Sequence, residues 1–153
     1  MSFDKILIVL SNNSALNKDM LDSMKIFFKV NKSNLNWCYF IDIPLKFPID
    51  TEDNHFKKIF DKSEYIRKEF YDKMNLYKIP KNRLLGNVYK VRNITSGLVE
   101  VSKNYKPDLV IIPEILMDLK PNMSMLKYDS YMNLKKIFAS LNSSLMIWER
   151  DNS

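Results

Sequence analysis

Five short apolar runs punctuate the chain: Ile6–Leu10, Trp37–Ile41, Val88–Val91, Leu109–Ile112 and Leu145–Trp148. The first and fourth are unbroken and rich in β-branched residues, the pattern of strands buried on both faces of a parallel sheet. The third alternates more and predicts a strand nearer an edge. Between the runs, apolar residues recur every three or four positions, as on a helix packed against a sheet. Met20, Leu21, Met24, Phe27 and Phe28 form one stripe, and Phe56, Ile59, Phe60, Ile66, Phe70 and Met74 a longer one. Leu98, Val101, Ser102 and Tyr105 form a third, and Leu134, Ile137, Phe138 and Leu141 a fourth. Asn17 is a cap candidate for the first helix, Thr51 to Asn54 for the second, and Thr95 or Ser96 for the third. Pro107 stops the third before the fourth strand.

The order is therefore βαβαβαβαβ, an α/β fold. Parallel strands need crossovers, and right-handed crossovers place helices on both faces of the sheet. No repeat or linker divides residues 1–153, so a single domain is expected. Pro44 to Asp50 reads as the loop after the second strand. The stretch from Pro113 to Ser130 is the longest without helical or strand periodicity.

Composition narrows the class. Of 153 residues, 46% are apolar and 27% charged, the balance of a soluble globular protein. Cys38 is the lone cysteine. An intramolecular disulfide is thereby excluded, and with no secretory pattern at the start the expected location is cytoplasmic. No run approaches the ~18 apolar residues of a membrane span. The net charge of +6 raises nucleic acid as a partner. Against that, lysines alternate with acids, as in Lys57-Lys58 before Asp61 and Lys68 before Glu69, the pattern of a solvated helix face.

The segment Val91 to Pro113, with Asp108-Leu109-Val110-Ile111-Ile112 entering the fourth strand, resembles the second half of a universal stress protein. Lys5 to Val9 with its polar turn, and Ser144 to Trp148, fit that family's first and last strands. The resemblance implies a Rossmann-like, adenine nucleotide alpha hydrolase-like fold: five parallel strands in the order 3-2-1-4-5, with two helices on each face. It also implies an ATP site that this chain does not reproduce. The turn Ser11-Asn12-Asn13-Ser14 lacks the family's carboxylate, and Arg92 stands where a glycine is usual. After the fourth strand the chain reads Pro113-Glu-Ile-Leu-Met-Asp-Leu-Lys-Pro-Asn-Met-Ser, with no glycine beyond Gly97. A phosphate cradle of backbone N–H groups needs close approach and positive φ, and Glu114 and Asp118 repel phosphate. No cofactor is expected.

Ligands of open parallel sheets sit beyond the strands' carboxyl ends, where strand order reverses. If a ligand binds here, Ser11, Asn12, Asn13, Ser14 and Pro113 would face it, with Lys120 and Lys127 as point charges. The alternative is that the Asn and Ser residues only build the turn and cap the helix. His55 has no histidine or cysteine at metal-ligand spacing and reads as a surface residue. Cys38 reads as a buried hydrophobe, and no catalytic set emerges, so no enzyme is expected. Met117, Met123 and Met125, with Ile115, Leu116 and Leu126, form an apolar segment that either plugs the crevice or, from Met117 to Leu126, meets a protein partner. The resemblance implies a homodimer seam along Leu145, Met146, Ile147, Trp148 and Glu149. The sequence thus predicts a non-enzymatic stress-response module working by dimerisation and protein contacts without ATP. A degenerate nucleotide or polar-ligand binder and a basic nucleic-acid-associated protein are the alternatives.

Overall fold

The computed structural model describes residues 3–52, 54–117 and 135–150. In chain order the elements are β1 (Lys5–Leu10), α1 (Ser14–Asn31), β2 (Asn34–Asp42), α2 (Lys57–Leu76) and β3 (Leu84–Val91). These are followed by α3 (Ile94–Tyr105), β4 (Leu109–Pro113), a single turn α4 (Glu114–Met117), the helical residues 135–140 (α5), and β5 (Ser144–Trp148). Short 3-10 turns at Asn54–Phe56 and Lys81–Arg83 precede α2 and β3. The five strands pair in parallel in the order β3-β2-β1-β4-β5. Strand order and direction are those expected, and β3 is an edge.

The continuous apolar runs have a simple cause. Along β1, Ile6, Ile8 and Leu10 enter one core while Leu7 and Val9 enter the other, so neither side of the strand meets water. The first core is closed by Met20, Leu21, Met24 and Phe28 of α1 and by Ile66, Phe70 and Met74 of α2. The second is closed by Leu98 and Val101 of α3 and by Phe138 of α5. Among the described residues, α1 and α2 therefore lie on one face and α3 and α5 on the other, with Leu116 of the single-turn α4 also against the second core. Each aliphatic side chain fully buried this way stabilises the fold by about 1.5–3 kcal/mol.

Both glycines serve packing. A Cβ on Gly86 of β3 would stand 2.1 Å from Trp37 Nε1, so the indole of β2 lies directly against the β3 backbone. That indole is 1% exposed, and its N–H donates to Tyr71 Oη at 3.1 Å. A Cβ on Gly97 would stand 2.7 Å from Val91 Cγ1 and 3.1 Å from Phe40, which sets how closely α3 approaches the sheet. Neither glycine adopts a positive φ.

Asp108 ties the centre of the sheet together. Its carboxylate accepts the backbone N–H groups of Asp4 and Lys5, each at 2.9 Å, while its own N–H donates to Lys5 O at 2.8 Å.

The structure corrects the expected caps. Asn13, not Asn17, caps α1 by accepting Leu16 N–H at 3.0 Å; Asn17 lies inside the helix, buried against Ser11. Asn93, not Thr95 or Ser96, caps α3 by accepting Ser96 N–H at 3.0 Å. The α-helical turns of α2 begin at Lys57, after the 3-10 turn, with no side-chain cap. Strand β3 starts four residues before the alternating run, and a helical turn replaces the irregular path expected after Pro113. Pro107 does follow α3 directly, after Lys106.

Among the described residues, four other than glycine have positive φ: Lys32, Lys78, Lys106 and Asn142. They follow α1, α2, α3 and α5 respectively. Asn fits the left-handed conformation, whereas for most side chains it costs about 1–2 kcal/mol.

Candidate functional site: the crevice beyond β1 and β2

Because all the strands are parallel, their carboxyl ends share one end of the molecule, and a crevice of about 450 Å³ opens there. Its floor comes from the ends of β1 and β2, with Leu10, Ser11, Tyr39, Phe40, Ile41 and Asp42. Lys58, Ile59 and Lys62 of α2 form one wall, and Ile94 of α3 and Leu116 of α4 the other. Asn12 completes the rim.

Of the residues expected at a ligand, Ser11 and Asn12 line the crevice. The polar groups of Ser11 are spent within the turn. Asn17 Oδ1 accepts both the Ser11 N–H at 2.9 Å and its hydroxyl at 3.0 Å, and Asn17 Nδ2 donates to Ser11 O at 2.8 Å. Ser11 Oγ also accepts Asn13 N–H at 3.2 Å. Asn13 caps α1, and Ser14 Oγ donates to Glu69 Oε2 at 2.5 Å, across the helix pair. Pro113 ends β4, buried and paired with Trp148 rather than lining the crevice. Lys120, Lys127, Asp118, Met123, Met125 and Leu126 lie outside the described residues. In the segment Met117–Leu126 only the backbone of Met117 is described.

Sequence reasoning missed Asp42, Lys58, Lys62 and Tyr39. The lysines carry the one readable signal: they stand one helical turn apart around Ile59, on a single face of α2. Among the described residues neither Lys58 nor Lys62 has a carboxylate partner; Lys62 Nζ lies 5.5 Å from the Tyr65 ring. Burial pushes the Tyr39 hydroxyl above its ordinary range. Arg92 closes the neighbouring loop, donating from Nη1 to Ile43 O at 3.1 Å and Pro44 O at 2.5 Å. Leu116 turns toward the second core, while Ile115 is 54% exposed.

The remaining candidates are structural. His55 stacks on Phe47, ring centroids 5.9 Å apart and 12° from parallel. Among the described residues no three His, Cys, Asp or Glu side chains gather to hold a metal ion. Cys38 is fully buried, and burial pushes its thiol far above the ordinary range, away from nucleophilic use.

At the opposite edge, among the described residues, β5 pairs with β4 on one side only. Leu145 packs on the second core and Met146 and Trp148 on the first, yet all three, with Ile147, stay half-buried, and Glu149 is exposed. Arg150 Nη2, just beyond, pairs with Asp19 Oδ2 of α1 at 2.8 Å.

No protein-family model and no curated protein matches the chain in sequence. Solved structures do match in fold over nearly the whole length. A universal stress protein in complex with cAMP superposes with TM-score 0.58 at 12% identity, covering 99% of this chain and 100% of that one. A protein of the universal stress protein family from Burkholderia pseudomallei gives 0.58 at 11% identity, covering 95% of each chain. A universal stress protein from Archaeoglobus fulgidus gives 0.56 at 6% identity, with 96% and 94% covered. The chain has the fold of universal stress proteins. No described helix is long and apolar enough to cross a membrane.

Proposed function

We propose that the chain is a non-enzymatic universal stress protein-like module, cytoplasmic, which works by homodimerisation through β5 and by contacts with other proteins rather than by binding ATP. The observation that carries this reading is the chemistry of the crevice. Ser11 and Asn13, which would greet a ligand at the β1 turn, are satisfied within it. Both glycines are committed to packing elsewhere, so the described crevice offers no glycine-lined cradle to a triphosphate. Strand β5 supports the dimer: among the described residues its outer edge has no strand partner, and such an edge with half-buried apolar side chains invites a second β5.

Thermal unfolding with ATP, ADP, AMP and cAMP tests the first half; the midpoint stays fixed with each, and a rise of several degrees with any overturns it. Sedimentation equilibrium tests the second. A dimer is expected that Ile147→Lys converts to monomer, and a wild-type monomer at high concentration refutes the seam.

One observation favours a second reading, a binder of nucleotide or another small polar anion. Lys58 and Lys62 line an open crevice across from Ile94 and Leu116, with Asp42 as the one carboxylate among its described lining residues, in the fold whose cAMP-bound example is similar to this chain. Under it cAMP raises the midpoint, and Lys58→Gln with Lys62→Gln removes that rise.

A further inference from the structure

The end of the molecule opposite the crevice carries an arrangement that neither reading uses. Helices that return between parallel strands finish where the strands begin, so the C-termini of α1, α2 and α3 lie together there. Each of the three is followed by an exposed lysine in the left-handed conformation: Lys32, Lys78 and Lys106. Lysines within the last turn, such as Lys29 and Lys103, are accounted for by the helix dipole. The closing position is different, because glycine and asparagine are the residues that fit it. Asn142 after α5, which ends at the same end of the molecule before β5, shows that this chain also uses such a residue there. At three of the four described helix ends here, a cation holds that place against its own backbone preference.

The exposed Lys5 and Lys81 extend the set. Lys81 precedes β3, Lys32 precedes β2, Lys5 starts β1 and Lys106 precedes β4, so the charges follow the sheet's lower edge in strand order β3-β2-β1-β4. Four strands spaced about 4.8 Å apart spread them over roughly 15 Å. Among the described residues the nearby carboxylates are few. Asp108 is occupied by the Asp4 and Lys5 N–H groups, Asp72 pairs with Lys68 at 2.8 Å, and Asp22 pairs with Lys73 at 2.9 Å and accepts the Tyr77 hydroxyl, leaving Asp4 exposed. A row of cations from separate elements does not converge on a small anion. It matches a linear polyanion, and duplex nucleic acid presents a charge every ~1.7 Å of its axis.

We propose that this lower edge is a sequence-independent docking surface for the phosphate backbone of a duplex nucleic acid. It stands apart from the module reading and from the crevice, and either can fail without it.

The test is fluorescence anisotropy with labelled 20-base-pair (about two turns) DNA and RNA duplexes at rising salt. Three variants are combined, Lys32→Asn, Lys78→Asn and Lys106→Asn, since asparagine accepts the left-handed conformation and preserves the fold. The control, Lys46→Gln with Lys57→Gln and Lys135→Gln, removes three exposed charges that belong neither to the lower edge nor to the crevice lining. The lower-edge variant is expected to lose at least about tenfold in affinity, and its log–log salt slope to fall by about 2.7, near 0.9 per lost phosphate contact. The control changes less than about twofold on the same measure. Should the combined variant not fold, the single variants each lower the slope by about 0.9. Equal losses in both variants would mean net charge alone and overturn the site. So would no duplex binding by the wild type, or co-sedimentation with phosphatidylserine vesicles in its place.

Discussion

Trp37 and Gly86 show how strongly one residue constrains another across this sheet. The indole occupies the volume a side chain on Gly86 would need, and Phe70, at 6.0 Å between ring centroids, backs it from α2. Gly86→Ala is therefore expected to cost about 1–3 kcal/mol by overpacking, read as a lower urea midpoint at unchanged slope. A second residue-scale test concerns Asp22, where burial opposes ionisation but hydrogen bonds from Tyr77 and Lys73 outweigh it, holding the carboxyl below its usual range. Its partner Tyr77 is raised by burial and by the same carboxylate. A depressed acid stabilises the fold above its unfolded value, near 3.9, and that contribution is lost as pH falls through the lower folded value. Asp22→Asn should thus flatten the acid limb of a melting-temperature profile and leave its shape at neutral pH unchanged; an unaltered acid limb would refute the assignment.

Elements were legible where periodicity was strong, and their ends were not. The stripes of α1 and α3 bury Met20, Met24, Leu98 and Val101 as their spacing predicts. The caps went astray because Ser11-Asn12-Asn13-Ser14 and Asn93-Ile94-Thr95-Ser96 each hold several competent residues, and the choice belongs to where the preceding strand releases the chain. The assignment is testable: Asn93→Ala should destabilise the protein by about 1 kcal/mol while Thr95→Ala stays within about 0.5 kcal/mol, both by chemical denaturation. The crevice was half legible. Its location followed from strand order, and Ser11 and Asn12 from the turn. Lys58 and Lys62 were hidden because α2 reaches the rim only once it has packed on β2, and no local pattern states that.

At the scale of the whole molecule, two ends with different chemistry are joined by one sheet. The crevice end is walled by apolar side chains with two lysines, and the opposite end carries the left-handed lysines. The Asp108 carboxylate that joins β4 to β1 spans a sequence separation of 103 to 104 residues. That span governs how the chain is made. While the ribosome is still delivering α3, β1 has β2 on one flank and nothing on the other, so Ile6 to Leu10 is an apolar strand with a bare edge. Only when residues 108–113 leave the exit tunnel does it gain its second neighbour. Nascent chains halted before Asp108 are accordingly expected to aggregate or to be held by chaperones, whereas release past β5 yields soluble protein, a contrast that arrested-translation pelleting would reveal.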